Sequence, residues 1–434
     1  MDKETSLPKE DIVKLQNKSS LLLIILCWVV YTCSYIGKLG YNANIIQIEK
    51  LFNISHSESG MVSTLFFFSY GAGQIINGIF CKKYNIKYVV FCGLILSGIV
   101  NLVIGLTSNF TVVKVAWVIN GGALSVLWTA LVRLLAETLD KKQMGTAVVV
   151  MGTTVATGTF LVYGLSALFV AFKVFKLIFF IAGVILPTIA LIWLFIINPL
   201  TNKIKKLSQE REESDEDVEE TENGKVGKGF GGIGFLFAIF LAFAVMTNFV
   251  KDGLTTWVPT VLNETYSLPD YTSILMTLAL PLCSIFGTWV AVKVNKKIRS
   301  FVSICGIMFF ASAILIGLVI SLLSKNAFVV TVISFALVSL LMAGVNNVVT
   351  SMMPLYWKDR VNSGMVSGVL NGFCYVGSTI SSYGLGLVAD FKGWNAVFLL
   401  LFTVCILASI ISFAECFIRL IKRKNRTLKS KKTH

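Results

Sequence analysis

The stretch that decides the fold is "LLLIILCWVVYTCSYIGKLGYNANII", Leu21–Ile46. It is apolar for longer than the roughly twenty residues a helix needs to cross lipid hydrocarbon. In lipid a helix is the one single-segment structure that satisfies its own backbone. Outward from this run the same pattern recurs, giving about twelve expected spanning helices. Six precede residue 200: Leu21–Ile46, Gly60–Phe80, Tyr88–Thr107, Val112–Leu139, Gly145–Ala171 and Phe175–Ile197. Six follow: Gly234–Leu262, Ser273–Val294, Phe301–Leu323, Ala327–Tyr356, Gly364–Ala389 and Asn395–Ile418. The composition agrees, since 55% of the 434 residues are hydrophobic, 14% are charged and the mean hydropathy is +0.78. Such a chain is too apolar for a soluble domain.

Between the two sets runs "NPLTNKIKKLSQEREESDEDVEETENGKVGKGFGG", dense in charge and closed by glycines, which reads as a solvated linker. The expected plan is therefore a cytoplasmic N-terminal segment 1–20, a six-helix bundle 21–197, a linker 198–232, a second bundle 233–418 and a basic tail 419–434. Lysine and arginine collect in alternate loops: Lys82, Lys83 and Lys87, then Lys141 and Lys142, then Lys293, Lys296, Lys297 and Arg299, then Lys358 and Arg360, and last the tail. By the positive-inside rule these loops and both termini are cytoplasmic, in a multi-pass protein of the cell (inner) membrane. Lys50, Lys173, Lys176, Lys325 and Lys392 fall in outer loops, and His56 in "FNISHSESG" reads as a solvated residue of the first of them.

The formal charge of +15 comes largely from the tail, which anchors at an anionic leaflet rather than binding nucleic acid. The nine cysteines lie mostly within apolar runs, without metal-site or disulfide spacing, and read as reduced packing residues. No phosphate-binding GxxxxGK[ST] loop, metal-ligand cluster or catalytic constellation is visible, so neither an enzyme nor a cofactor is expected. The expected partners are the bilayer and a small anionic substrate, and the expected state is a monomer.

That anion is argued from charges inside the membrane. Lys38 stands two-thirds of the way along the first run, and Lys251 occupies an equally apolar setting half a chain later, each followed two positions on by glycine. "MGTAVVVMGTTVATGTFLVYGL" and "SGMVSGVLNGFCYVGSTISSYGLG", closing on Tyr163-Gly164-Leu165 and Tyr383-Gly384-Leu385, echo one another at a similar offset. Two parallel repeats place the binding site near the bilayer midplane between them. A lysine at mid-helix costs about 2.5–3.5 kcal/mol on insertion scales, so it faces a watery cavity or a partner. Two such lysines across one cavity attract an anion. Asp252 adjoins Lys251, but neighbours on a helix point about 100° apart, so a direct pair is not forced; the residue reads either as a structural acid or as a proton carrier. Gln74, Asn77, Asn346, Asn347, Asn371 and Tyr375 bridge helices or line the cavity.

On "YIGKLGY", "YGAGQIINGIF", "INGGALSVLWTALVRLLAETLDKKQMGTA", "KDGLTTWVPTVLNE" and "GFCYVGSTISSYGLGLVADFKGW", in that order, the chain resembles the organophosphate:phosphate antiporters of the major facilitator superfamily. The resemblance implies two pseudo-symmetric six-helix bundles and a phosphate gripped from both, at positions that correspond here to Lys38 and Lys251. It implies further contacts from Tyr31, Tyr35, Tyr70, Gln74, Trp128 and Tyr375. This chain has lysine where the family has arginine, Gln74 where the family has a basic residue and Val155 where it has histidine. Lysine is a point charge without arginine's bidentate fork, so the charge argues for an anion more firmly than for a phosphate. The expected function is alternating-access transport of a small organic anion, most simply an organophosphate exchanged for phosphate or another anion. Two further readings fit the same residues. One is a proton-coupled symporter of an organic anion or sugar using Asp252. The other is a non-transporting sensor of the same fold, which deletion of Ser208 to Gly224 would silence.

Overall fold

The computed structural model describes residues 9–80, 83–212, 234–298, 300–325, 327–357 and 363–430. The acidic part of the linker, Lys82, Arg299, Lys358, Arg360 and the last four residues of the tail lie outside them. The described residues form helices joined by short turns, without strands. The first half holds α1 (Lys9–Ala43), α2 (Ile45–Phe52), α3 (His56–Phe80), α4 (Ile86–Leu106), α5 (Phe110–Thr138), α6 (Lys141–Gly152), α7 (Thr154–Ala171) and α8 (Leu177–Glu212). The second holds α9 (Gly234–Tyr266), α10 (Asp270–Thr277), α11 (Ala279–Ser284), α12 (Gly287–Ile298), α13 (Phe301–Leu322), α14 (Phe328–Asn347), a π-helical turn (Val348–Met352), α15 (Met353–Tyr356) and α16 (Ser363–Ser430).

Ten helical stretches are long and apolar enough to span. The last, Met365–Arg419, supplies two crossings, because Gly393 breaks α16 with φ 72°, a value glycine adopts without strain. With α3 this makes twelve crossings, in the expected order. α3 is more polar than its neighbours, carrying Ser59, Ser63, Ser69, Gln74 and Asn77 among small residues, and it packs on α5 and α16. Caps fix several starts: Asn85 accepts from the Lys87 amide, Asn109 from Thr111, and Asp140 and Gln143 form a capping box on α6.

Two helices overrun their expected spans. α1 begins at Lys9, and α8 continues past Ile197 to Glu212, so the first part of the charged linker is helical. Gln16 donates to Ser208 at 2.9 Å, and Arg211 pairs with Asp140 at 3.4 Å, which binds both overhangs to the first half. The end bearing the chain termini is called the terminal face below, and the opposite end the far face.

The halves meet chiefly along α3 and α16, with α7 packed on α10 and α11. Glycine permits the first approach: a Cβ on Gly71 would sit 2.8 Å from that of Tyr375, and one on Gly60 would strike the Ser382 carbonyl. α1 is pinned from within its own half, where Asn120 and Asn101 donate to the Gly37 carbonyl at 2.8 and 3.4 Å and Ser97 donates to Asn120 at 2.6 Å. That buried amide cluster fixes the turn that carries Lys38.

Candidate functional site

Lys38 is 7% exposed, and among the described residues no carboxylate lies within ion-pair distance of it. Its ammonium sits instead among aromatic faces, 4.0 Å from the Tyr70 ring centroid, 5.3 Å from that of Tyr35 and 5.5 Å from that of Tyr375. Ring quadrupoles attract a cation by roughly 0.5–2 kcal/mol each, more as water is excluded. The shell extends from Tyr35 to Tyr31 at 5.6 Å and from Tyr31 to Trp128 at 4.9 Å. Tyr70 and Tyr375 come from opposite halves and meet at 4.8 Å, so the cage straddles the junction. Gln74 donates to the Tyr70 hydroxyl at 3.1 Å and accepts from Asn371 of the other half. Lys38, Tyr31, Tyr35, Tyr70, Gln74, Trp128 and Tyr375 thus come together as one cluster.

Lys251 differs from expectation. Its Nζ lies 3.5 Å from Asp252 Oδ1, because a four-carbon stem carries the ammonium around the helix far enough to reach the neighbouring carboxylate. The charge at Lys251 is therefore compensated. The other Asp252 oxygen accepts from Ser378 Oγ at 2.5 Å and Asn248 Nδ2 at 3.2 Å, and Asn346 donates to Asn248 at 2.9 Å. Ser378 and Tyr375 stand three residues apart on α16, which puts them on one helix face and joins the Asp252 node to the Lys38 cage. Asn248 and Ser378 were not singled out by the sequence reading. The four-residue spacing of Asn248 and Asp252 on one helix was a usable signal; Ser378, in a run of small polar residues, gave none.

A second polar cluster closes the far face. His56 hydrogen-bonds Glu49 through Nδ1 and Glu264, of the other half, through Nε2, both at 3.2 Å. Asp390 accepts from the amides of His56 and Ser57 at 3.0 and 2.8 Å, capping α3 across the junction, and Trp394 donates to Glu264 at 2.8 Å. Lys50 pairs with Asp270 at 2.7 Å, and Gln47 donates to the same carboxylate at 3.1 Å. This corrects the reading of His56 as a solvated loop residue: its side chain is 19% exposed, shielded by a carboxylate half a chain away that local sequence cannot show. Burial alone would lower the His56 pKa, but the hydrogen bonds and charges of Glu264 and Glu49 outweigh it and raise the value to about 10. Burial likewise pushes Glu264 up, and the bonds from His56 and Trp394 overcome it, holding the carboxyl below its ordinary range. Deeper in, Asn42 donates to Thr256 at 3.1 Å, and the Tyr163 hydroxyl donates to the Thr255 carbonyl at 2.8 Å.

Comparison with known proteins bears on these observations together. A family profile described as Major Facilitator Superfamily matches residues 27–363. A glycerol-3-phosphate transporter of Bacillus subtilis is 24% identical over 378 residues, covering 82% of this chain and 83% of that protein. The membrane sensor protein UhpC of Escherichia coli is 30% identical over 98 residues, a match that covers 23% of this chain and only 22% of the sensor. Among solved structures, a bacterial homolog of the human lysosomal transporter Spinster, crystallised in an inward-facing and occupied conformation, aligns with a TM-score of 0.69. That alignment covers 91% of this chain and 96% of the other at 14% identity, a likeness of fold.

Proposed function

The chain belongs to the major facilitator superfamily, a family of transporters, and on that premise we propose that it carries a small organic anion, a phosphate ester foremost, by alternating access. The observation that carries this reading is Lys38: a buried cation with no carboxylate partner among the described residues, caged by rings from both halves. Aromatic faces tolerate an ammonium but leave its hydrogen-bond donors open to an anion. A relative that matches over most of its length is named for glycerol 3-phosphate, which favours phosphate esters within the anion class.

In this reading Lys38 contacts the anion from the first half and Lys251 from the second, so the bound anion draws the halves together. Tyr31, Tyr35, Tyr70, Trp128 and Tyr375 shape the pocket, and Gln74 offers a neutral amide beside it. With both termini cytoplasmic, as the basic loops argue, the closed far face is the outer one. Exchange follows when the loaded form crosses more readily than the empty one.

Uptake and exchange in proteoliposomes test the proposal. Lys38→Ala is expected to lower both at least ten-fold, and Lys38→Arg to retain them in part, since charge rather than ammonium shape is the requirement. Full uptake and exchange by Lys38→Ala would overturn the reading. The sensor reading draws on the short match to UhpC; transport of the ester by the wild-type chain alone would dispose of it.

A further inference from the structure

Two lysines in a transport cavity suggest a site built for a doubly charged anion. The contacts around Lys251 suggest otherwise. Its ammonium is 3.5 Å from Asp252, whose side chain is 17% exposed and whose second oxygen is held by Ser378 and Asn248. Both donors are neutral, and Asn248 is itself fixed by Asn346. The carboxylate is thus held in place beside one cationic contact of the proposed site, while the other, Lys38, is caged by rings and has no ion pair among the described residues. Ionised Asp252 reduces the positive charge of the pair of lysines from two to one.

We infer that Asp252 is a specificity-determining residue that limits the cargo to one net negative charge, so that a phosphate ester is carried together with one proton. The inference rests on the anion-transport reading and adds the charge state of the cargo to it. A doubly charged ester entering alone would leave an unbalanced negative charge in a cavity of low dielectric, where such a charge is costly. One proton restores the balance, whether it sits on the ester or on Asp252, since the two placements have the same composition. No bond of the ester changes: one ester and one proton enter on one side, and the same two leave on the other. The groups facing Asp252 are Lys251 on α9, Cys374 and Tyr375 on α16, Tyr35 on α1 and Tyr163 on α7, with Lys38 beyond Tyr35 and Tyr375. All of them persist in an Asp252→Asn variant, so a difference between that variant and the wild type reports the carboxylate.

The experiment is equilibrium binding of glycerol 3-phosphate to purified protein at pH 5.5 and pH 7.5. The second ionisation of a phosphate monoester lies near 6, so between these pH values the singly charged form falls roughly 20-fold and the doubly charged form rises about 4-fold. Wild-type affinity is expected to weaken by about 20-fold over this interval. Asp252→Asn, which keeps hydrogen-bonding capacity toward Ser378 but leaves both lysines uncompensated, is expected to strengthen by about 4-fold instead. Asp252→Glu is expected to restore the wild-type direction. Wild-type affinity that rises with pH overturns the inference without any variant, and an Asp252→Asn profile parallel to the wild type overturns it while leaving anion transport standing. Absence of saturable binding by the wild type at both pH values would remove the anion reading, and this inference with it.

Discussion

Side-chain chemistry at the junction separates what a lysine does from what its surroundings let it do. Lys38 and Lys251 are equivalent in the sequence, yet one is caged by rings and the other is paired with a carboxylate. The cage itself makes a prediction. Tyr70→Phe keeps the ring 4.0 Å from the Lys38 ammonium and loses only the hydroxyl that accepts from Gln74, so anion binding should change by no more than about three-fold. Tyr70→Leu removes the π face and should destabilise the buried ammonium by roughly 1 kcal/mol, seen as a lower melting temperature without ligand. Equal effects of the two variants would show that the ring face contributes nothing. Much of this cluster was legible: Lys38 and the six residues gathered around it were all named from spacing or resemblance. The Lys251–Asp252 pair was not, because helix geometry places adjacent residues on different faces and the reach of a lysine stem depends on which neighbours fill the space between them.

Element by element, the polar ends of the helices decide how the halves close. Spans were readable because hydropathy reports lipid contact directly, and α3 was read in the same way from the apolar run Gly60–Phe80. What hydropathy could not report was where helices outrun the bilayer, as α1 and α8 do, or which loop residues from distant elements meet. The far-face clamp is such a meeting. His56 opens α3 outside the apolar run, Glu49 lies on α2 and Glu264 near the end of α9, so protonated His56 ties the second half to the first. Its pKa in the closed arrangement is raised above the ordinary histidine value, so the stabilisation is full below about 6.5 and is lost as pH rises through about 10. The closed far face should therefore loosen on the alkaline side. Thiol labelling of a cysteine introduced at Gln47, which natively donates to Asp270 across the junction at 3.1 Å, should accelerate between pH 8 and pH 10.5 beyond the rise of a free thiol as it ionises. In a His56→Gln background labelling should be faster at pH 8, roughly ten-fold for a loss of about 1.4 kcal/mol, and should lose most of its further rise. A labelling rate that, relative to a free thiol, stays flat over this range without the His56 change would remove His56 from the closure.

At the scale of the whole molecule, the cross-half contacts divide into those that a rocking motion must break and those that it can pivot on. Lys50–Asp270, His56–Glu264 and Asp390 on the α3 terminus lie at one end, farthest from the terminal face. Tyr70–Tyr375 and Gln74–Asn371 lie deeper, beside Lys38, where a rotation of the halves displaces atoms least. If the halves alternate about that level, the far-face contacts must separate once in every cycle. Tying them together covalently should then stop transport without touching the site. Replacing Lys50 and Asp270 by cysteine and joining the pair with a short, reducible thiol cross-linker is expected to lower uptake in proteoliposomes more than ten-fold. Reduction of the linker should restore it. Binding from the terminal face should persist throughout, because the linked state is the closed-far-face arrangement already described. The same cross-linker applied to the otherwise unmodified chain controls for its native cysteines, among them the exposed Cys92. Undiminished uptake by the linked protein would mean that cargo crosses without parting the halves at the far face, and the alternating-access account would have to give way to one with a fixed outer junction.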